Sequence, residues 1–163
     1  LKSEKIISNI GISVYTPDTL LNLIKNFQID TVQFPLNIMD NRFNTKLIKD
    51  TIERQSIRIY IRSIFLQGLL LTNSAIHNNY FKRWRVHFLT WEKWLEENKV
   101  SPLDACLNYA TSVFSDSRVI VGVSSLSEIS EICSVPTKKI PTIPNQLNFN
   151  EPELVDPRKW NLE

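Results

Sequence analysis

The chain has 163 residues, the size of one ordinary domain, and folding such a chain buries roughly 70% of its unfolded surface, so neither disulfides nor a structural metal is required. Apolar residues make up 42% and charged residues 22%, and 19 Lys and Arg against 17 Asp and Glu leave a formal charge of +2, which excludes disorder and a polycationic nucleic-acid arm. The longest apolar run, 64–71, is interrupted by Gln67 and Gly68 and falls short of the roughly 20 residues that span a bilayer, so no membrane span is expected.

The chain opens on Leu1 and not on Met, so it is expected to be a piece of a longer protein, and the sequence given shows no signal-peptide succession of basic, apolar and small-residue regions. Cys106 and Cys133 fall in helix-like stretches with no Cys or His nearby at zinc spacing. Both are expected to be reduced packing residues in a cytoplasmic protein, and no metal site is expected. Glycine occurs three times, at Gly11, Gly68 and Gly122, where average usage gives about 11, so each position calls for a physical reason.

A β-rich segment from Lys5 to Val14 runs into Thr16-Pro17-Asp18, where a cap, a first-turn Pro and an acid start a helix. Leu20, Leu21, Leu23, Ile24 and Phe27 give that helix a buried face. Thr31 to Phe34 forms a strand ending at Pro35, and a helix from about Phe43 to Arg54 follows. Residues 57–63 alternate apolar side chains with Arg58, Tyr60 and Arg62, the period of a strand. Helical spacing returns at Phe81, Trp84, Phe88, Trp91 and Leu95, a single apolar stripe, and Ser101-Pro102 starts a further helix carrying Leu103, Ala105, Cys106, Leu107 and Ala110. Arg118 to Val123 reads as a strand covered on both faces. Ser125 and Glu128 then form a capping box for a helix through Ile132. Pro136, Pro141, Pro144, Pro152 and Pro157 predict an extended, non-helical tail.

Four strands, each followed by helix, imply successive βα units, a parallel sheet and right-handed crossovers. No G-x-G-x-x-G or G-x-x-x-x-G-K turn is present, which excludes a dinucleotide fold of the Rossmann type and a P-loop. A (β/α)8 barrel has eight such units in about 250 residues, so four units make half of one. The expected organisation is a half-barrel over residues 1–135 and a proline-rich tail over 136–163.

Four strings carry a resemblance: Ile10-Gly11-Ile12-Ser13-Val14, Val32-Gln33-Phe34-Pro35-Leu36-Asn37, Arg62-Ser63-Ile64-Phe65-Leu66-Gln67-Gly68-Leu69-Leu70 and Val119-Ile120-Val121-Gly122-Val123-Ser124-Ser125. In order and spacing, across roughly residues 5–133, they resemble the last four strand ends of an aldo-keto reductase, closest in flavour to bacterial oxidoreductases associated with surface-sugar pathways. The resemblance implies the C-terminal, cofactor-binding half of a (β/α)8 TIM barrel. It implies an NADP-dependent oxidoreductase, with NAD as the alternative, that moves hydride between the nicotinamide and a small carbonyl or alcohol substrate. The family's catalytic Tyr, Asp, Lys and His sit on the first four strands, so none is placed here and the chain alone is expected to be inactive. A non-catalytic relative that senses nucleotide or binds a partner is the rival reading.

By the same resemblance, Ser13 and Gln33 meet the nicotinamide carboxamide, and Arg62 lies flat against the ring, which its planar guanidinium suits. Ser63, Phe65, Gln67 and Gly68 strap the diphosphate. Gly122, Ser124 and Ser125 take the adenosine phosphate at a helix N-terminus, with Glu128 and Glu131 on the adenine side. Two departures stand out: Val14 replaces the family's usual Asn, and Val123 and Glu128 stand where many members place Lys or Arg. Each residue also has a plain alternative: a strand end for Ser13, neighbouring backbone for Gln33, a solvated cation for Arg62, a turn for Gly68, the helix cap for Glu128 and surface charge for Glu131.

The stripe at 81–91 with Lys82, Arg83 and Arg85 is first a core face, not a stacking surface for nucleic acid. His77 and His87 are too far apart for a metal pair on one helix face, and no G-x-S-x-G elbow supports a hydrolase.

Overall fold

The computed structural model describes residues 1–72, 78–114 and 116–162, so His77 lies outside the described residues. One sheet holds four parallel strands in sequential order: β1 (Gly11–Ser13), β2 (Thr31–Pro35), β3 (Arg58–Arg62) and β4 (Arg118–Val119). The helices are α1 (Pro17–Asn26), α2 (Lys46–Arg54), α3 (Arg85–Asn98), α4 (Pro102–Val113), α5 (Leu126–Ser134) and α6 (Pro152–Val155). Four parallel strands alternating with helices are half of a (β/α)8 barrel.

The local start signals act as read. Thr16 Oγ1 accepts from the Thr19 N–H, Ser101 Oγ from Asp104 and Ser125 Oγ from Glu128, each a helix N-cap. Helix α2 begins at Lys46, three residues later than expected from Phe43, because Thr45 caps it by accepting from Ile48 N–H. Phe43 stays in the loop and stacks on Phe34, with ring centroids 4.4 Å apart.

The strand ends differ from expectation because the two outer strands each have one neighbour. The segment before Gly11 is not strand: Ile6 and Ile7 are exposed, and only Ile10 reaches the neighbouring chain, its carbonyl accepting from the Asp30 and Thr31 N–H groups while its own N–H donates to the Asp30 carboxylate. β4 is two residues long, and Ile120 is 42% exposed and Val123 41%, so the reading of a strand covered on both faces is corrected. Val119 of β4 and Val121 just after it pack on the core, while Ile120 turns to the open face.

Alternation divides the sheet into two faces. Val32, Phe34, Ile59 and Ile61 are buried against helices, in a core shared with Leu20, Ile24, Ile48, Ile52, Ala110 and Phe114. Gly11, Ser13, Thr31, Gln33, Arg58 and Tyr60 line a cleft on the opposite, inner face. Gly11 is needed there because a Cβ would collide with Thr31 Oγ1.

A second core sits beyond the C-terminal ends of the strands. The stripe Phe81, Trp84, Phe88 and Trp91 is buried in it together with Met39, Leu66, Leu70, Leu147, Leu154 and Val155. All four indole N–H groups find acceptors, as buried Trp requires: Trp84 on Glu151, Trp91 on Leu70, Trp94 on Thr142 and Trp160 on Leu154.

The tail is therefore not the extended, non-helical segment expected. It makes 3-10 turns at Asn145–Leu147 and Pro157–Lys159 besides α6, and Pro152 and Pro157 occupy first-turn positions, where a missing N–H does no harm. It docks by backbone, with Asn150 N–H donating to Met39 O at 3.1 Å and Tyr80 Oη donating to Glu153 O at 2.9 Å. Cys106 is a packing residue, its thiol pushed well above the usual range by burial. Cys133 is exposed on α5, a helix that contributes no buried residue, which corrects its reading as a packing residue.

Candidate functional site

Because the strands run parallel, the residues that follow them collect at one edge of the sheet, where ligands of such sheets bind. Ser13 pairs in register with Gln33, and Ser13 Oγ donates to Gln33 Oε1 at 3.1 Å. Gln33 is half-buried, and its Nε2 has no acceptor among the described residues. The neighbour that closes this corner is Arg62: Nη1 donates to Ser63 Oγ at 3.3 Å and Nη2 to the Val14 carbonyl at 3.4 Å. Its guanidinium also lies 4.1 Å from the centroid of Tyr15. Ser13 and Gln33 thus form one pair and Arg62 and Ser63 another, joined through the Val14 backbone, whose N–H donates to Gln33 O at 2.9 Å and whose carbonyl accepts from Arg62.

Ser63 starts an irregular loop in which Ser63, Leu66, Gln67 and Gly68 all have positive φ, between +46° and +85°. Three of the four are not glycine, and each such residue stores roughly 1 kcal/mol or more of strain, of the kind that accumulates at ligand clamps. The buried Asn37 holds the loop's entry, donating from Nδ2 to the Ser63 carbonyl at 3.0 Å while its Oδ1 accepts from Met39 and Asp40 N–H. At Gly68 a Cβ would meet nothing within 4 Å, so the glycine answers to its φ of +85° and not to crowding.

The loop divides its expected ligands. Phe65 shares a cleft with Gly122, Glu128 and Glu131, whereas Gln67 faces a different one with Pro157 and Trp160. Past β4, the Glu128 carboxylate accepts from the Ser124 N–H at 2.7 Å and from Ser124 Oγ at 2.9 Å, and these bonds hold its pKa below the usual carboxylate range. The capping box is therefore shifted: Ser125 caps Glu128, but the carboxylate reaches back to Ser124. It occupies the donors that the resemblance assigns to a phosphate. The cleft is lined by Glu128 and Glu131 and by no Lys or Arg among the described residues.

Two further pairs border the site, and sequence reading passed over both. Asp40, fully buried after β2, accepts from Arg42 Nε and Nη2, both at 2.7 Å. Asp156, in the tail, accepts from Arg158 Nε at 2.8 Å and Nη2 at 2.6 Å, and the Arg158 guanidinium lies 3.3 Å from the Tyr15 centroid. The available signal was the D-x-R spacing, which lets a carboxylate close on the fork two residues later. No group of three or more metal-ligating side chains occurs among the described residues.

The aldo/keto reductase family model matches residues 1–142. The chain belongs to the aldo/keto reductase family. Among solved structures it is similar to the aldo-keto reductase AKR11C1 from Bacillus halodurans, at 18% identity and a TM-score of 0.72 in the holo form and 15% and 0.65 in the apo form. Those alignments cover 98% of this chain and 56% and 57% of the other. It is also similar to the glycerol dehydrogenase AKR11B4 from Gluconobacter oxydans, with 14% identity, a TM-score of 0.53, and coverage of 86% of this chain and 54% of that one. The chain thus spans a little over half the length of these structures, and at such identities the likeness is one of fold. No curated protein matches it.

Proposed function

We propose that this chain is the nucleotide-binding part of an oxidoreductase that moves a hydride between a nicotinamide dinucleotide and a carbonyl or alcohol substrate. The observation that carries the reading is the two pairs Ser13–Gln33 and Arg62–Ser63 at the C-terminal edge of the sheet, joined through the Val14 backbone, in a member of the aldo/keto reductase family. The donor set fits the cofactor. Gln33 presents a half-buried amide whose N–H donors meet solvent and have no acceptor among the described residues, the complement of a carboxamide. Arg62, two strand ends from Ser13, presents a flat, delocalised guanidinium that packs on Tyr15.

In this reading Ser13 orients Gln33, Gln33 binds the carboxamide and Arg62 fixes the ring plane. Ser63, Phe65 and Gly68 hold the diphosphate; Gly122, Ser124, Ser125, Glu128 and Glu131 take the adenosine end. Gln67 is assigned to the outer wall of the loop, since its cleft is the one facing the tail. The bound nicotinamide supplies or accepts the hydride. The proton donor is assigned to residues outside these four βα units.

A specific observation favours NAD over NADP. The Glu128 carboxylate holds both Ser124 donors, Glu131 lines the same cleft, and neither has a cation beside it there among the described residues. A carboxylate accepts from a ribose 2'-hydroxyl and repels a 2'-phosphate. Titration of the protein with NADH and with NADPH, read by quenching of tryptophan fluorescence, tests both statements. Saturation by NADH at lower concentration is the expected result; no saturation by either nucleotide at millimolar concentration overturns the reading.

A further inference from the structure

Asp40-Asn41-Arg42 and Asp156-Pro157-Arg158 repeat one geometry at two places far apart in sequence. In each, Asp Oδ1 accepts from the Arg backbone N–H, at 3.4 Å and 3.2 Å, and from Nε, while Oδ2 accepts from Nη2. Both carboxylates are buried, Asp40 completely and Asp156 to 5% exposure, so each is spent on holding its guanidinium in one plane. The Nη1 of Arg42 and that of Arg158 have no acceptor among the described residues, and no buried side-chain nitrogen is left unpartnered there, so Arg42 Nη1 meets solvent although the side chain is only 14% exposed.

The two forks belong to one cluster. Asn150 of the tail accepts on Oδ1 from the Asn41 N–H at 2.6 Å and donates its own N–H to Met39 O, which docks the segment leading to Asp156 on the turn that holds Asp40 and Arg42, and Arg158 lies on Tyr15, which follows β1. Arg62 lies on the same ring, with its guanidinium carbon 4.1 Å from the centroid against 3.3 Å for Arg158. Two guanidinium groups that close to one ring centre would overlap on a single face, so they take opposite faces. The cluster then holds three guanidinium groups and two carboxylates, a surplus of one positive charge at the edge of the sheet, with two forks preset and their outer N–H groups free. A preset fork loses little rotamer freedom when it binds, which is what distinguishes a recognition site from a flexible surface charge.

We propose that Arg42 and Arg158 form an anion subsite that takes a carboxylate or phosphate carried on the reacting substrate, with Tyr15 tying it to Arg62. The proposal rests on the functional reading above only for which molecule carries the anion; the subsite itself stands on the forks. It also gives the tail a role, since Arg158 reaches the sheet edge only because residues 145–160 dock on the second core.

The test is NMR of the arginine side-chain N–H groups in the whole chain, titrated with inorganic phosphate against chloride at constant ionic strength. The Arg42 and Arg158 signals are expected to shift together and saturate. Removing one fork with its partner, Asp156→Asn with Arg158→Gln, spares the fold an uncompensated buried carboxylate and should weaken phosphate binding about tenfold or more, the loss of one charge-assisted contact. Where that pair unfolds the chain, Arg158→Lys keeps the charge without the fork and is expected to weaken binding in the same direction. Shifts that stay linear, that chloride reproduces, or that persist unchanged in these variants overturn the subsite. Adding NADH separates the two readings. Phosphate binding unaffected by saturating NADH supports a substrate-side subsite, and competition assigns the anion to the nucleotide and overturns the proposal. Phosphate saturation in a protein that binds no nucleotide leaves the subsite standing and removes the nucleotide reading.

Discussion

Replacing Gln33 by Leu isolates the nicotinamide end of the proposed site. The side chain is half-buried on the inner face of the sheet and among the described residues bonds only to Ser13, so Leu fills a similar volume without disturbing the core on the other face. What it removes is an amide able to donate to a carboxamide oxygen and to accept from its nitrogen. Two hydrogen bonds between neutral groups contribute about 1–3 kcal/mol net, which is roughly a 5- to 150-fold rise in the Kd for NADH. The assay is fluorescence titration with NADH and, in parallel, with ADP-ribose, which has the diphosphate and adenosine but no nicotinamide. The NADH Kd should rise within that range, the ADP-ribose Kd should not move, and the urea midpoint should stay close to that of the parent. Equal weakening of both ligands, or none of NADH, refutes the placement of the carboxamide on Gln33.

Glu128→Gln should narrow the preference for NADH over NADPH, and Glu128→Arg should reverse it, since each removes the negative charge from a cleft without cations; the ratio of the two Kd values reads it directly, and an unchanged ratio refutes the acid's role. Leu154→Ala, at a fully buried tail position, should cost about 2–5 kcal/mol, seen as a lower urea midpoint at constant m; a shift worth under about 1 kcal/mol would mean that the tail is not part of the core. The Arg158 fork lowers the Asp156 pKa below its ordinary value, so the stability it contributes is complete above about pH 4 and is lost as pH falls through the lower native value. Asp156→Asn should therefore be less stable than the parent at pH 7, with the gap closing below pH 4 in urea titrations; a gap of constant size at pH 7 and pH 3 rejects the linkage.

Much of the architecture was legible because it is local. A Ser or Thr cap needs only the backbone three residues ahead, so Thr16, Ser101 and Ser125 mark helix starts as read. Alternation at 57–63 places Ile59 and Ile61 inside and Arg58, Tyr60 and Arg62 on the other face, since side-chain direction follows from pleat alone. The resemblance at the strand ends singled out Ser13 and Gln33, which the sheet sets in register, and Arg62 and Ser63, which bond to each other; their cofactor roles remain proposals.

What only the tertiary structure decided depends on partners distant in sequence. The apolar runs at Lys5–Ile10 and Ile120–Val123 have the composition of strands, but a strand exists by pairing, and these lie at or beyond the two outer strands, each with one neighbour. Five prolines disfavour helix interiors without forbidding first turns, and Leu147, Leu154 and Val155 fold the tail onto aromatic residues more than 50 positions earlier, such as Phe81 and Trp84. That docking carries Arg158 to Tyr15 and seats Asn150 on the turn that holds the first fork. Chain periodicity describes one element's face; which faces meet is settled by long-range packing, where the free energy of burying those side chains outweighs local preference.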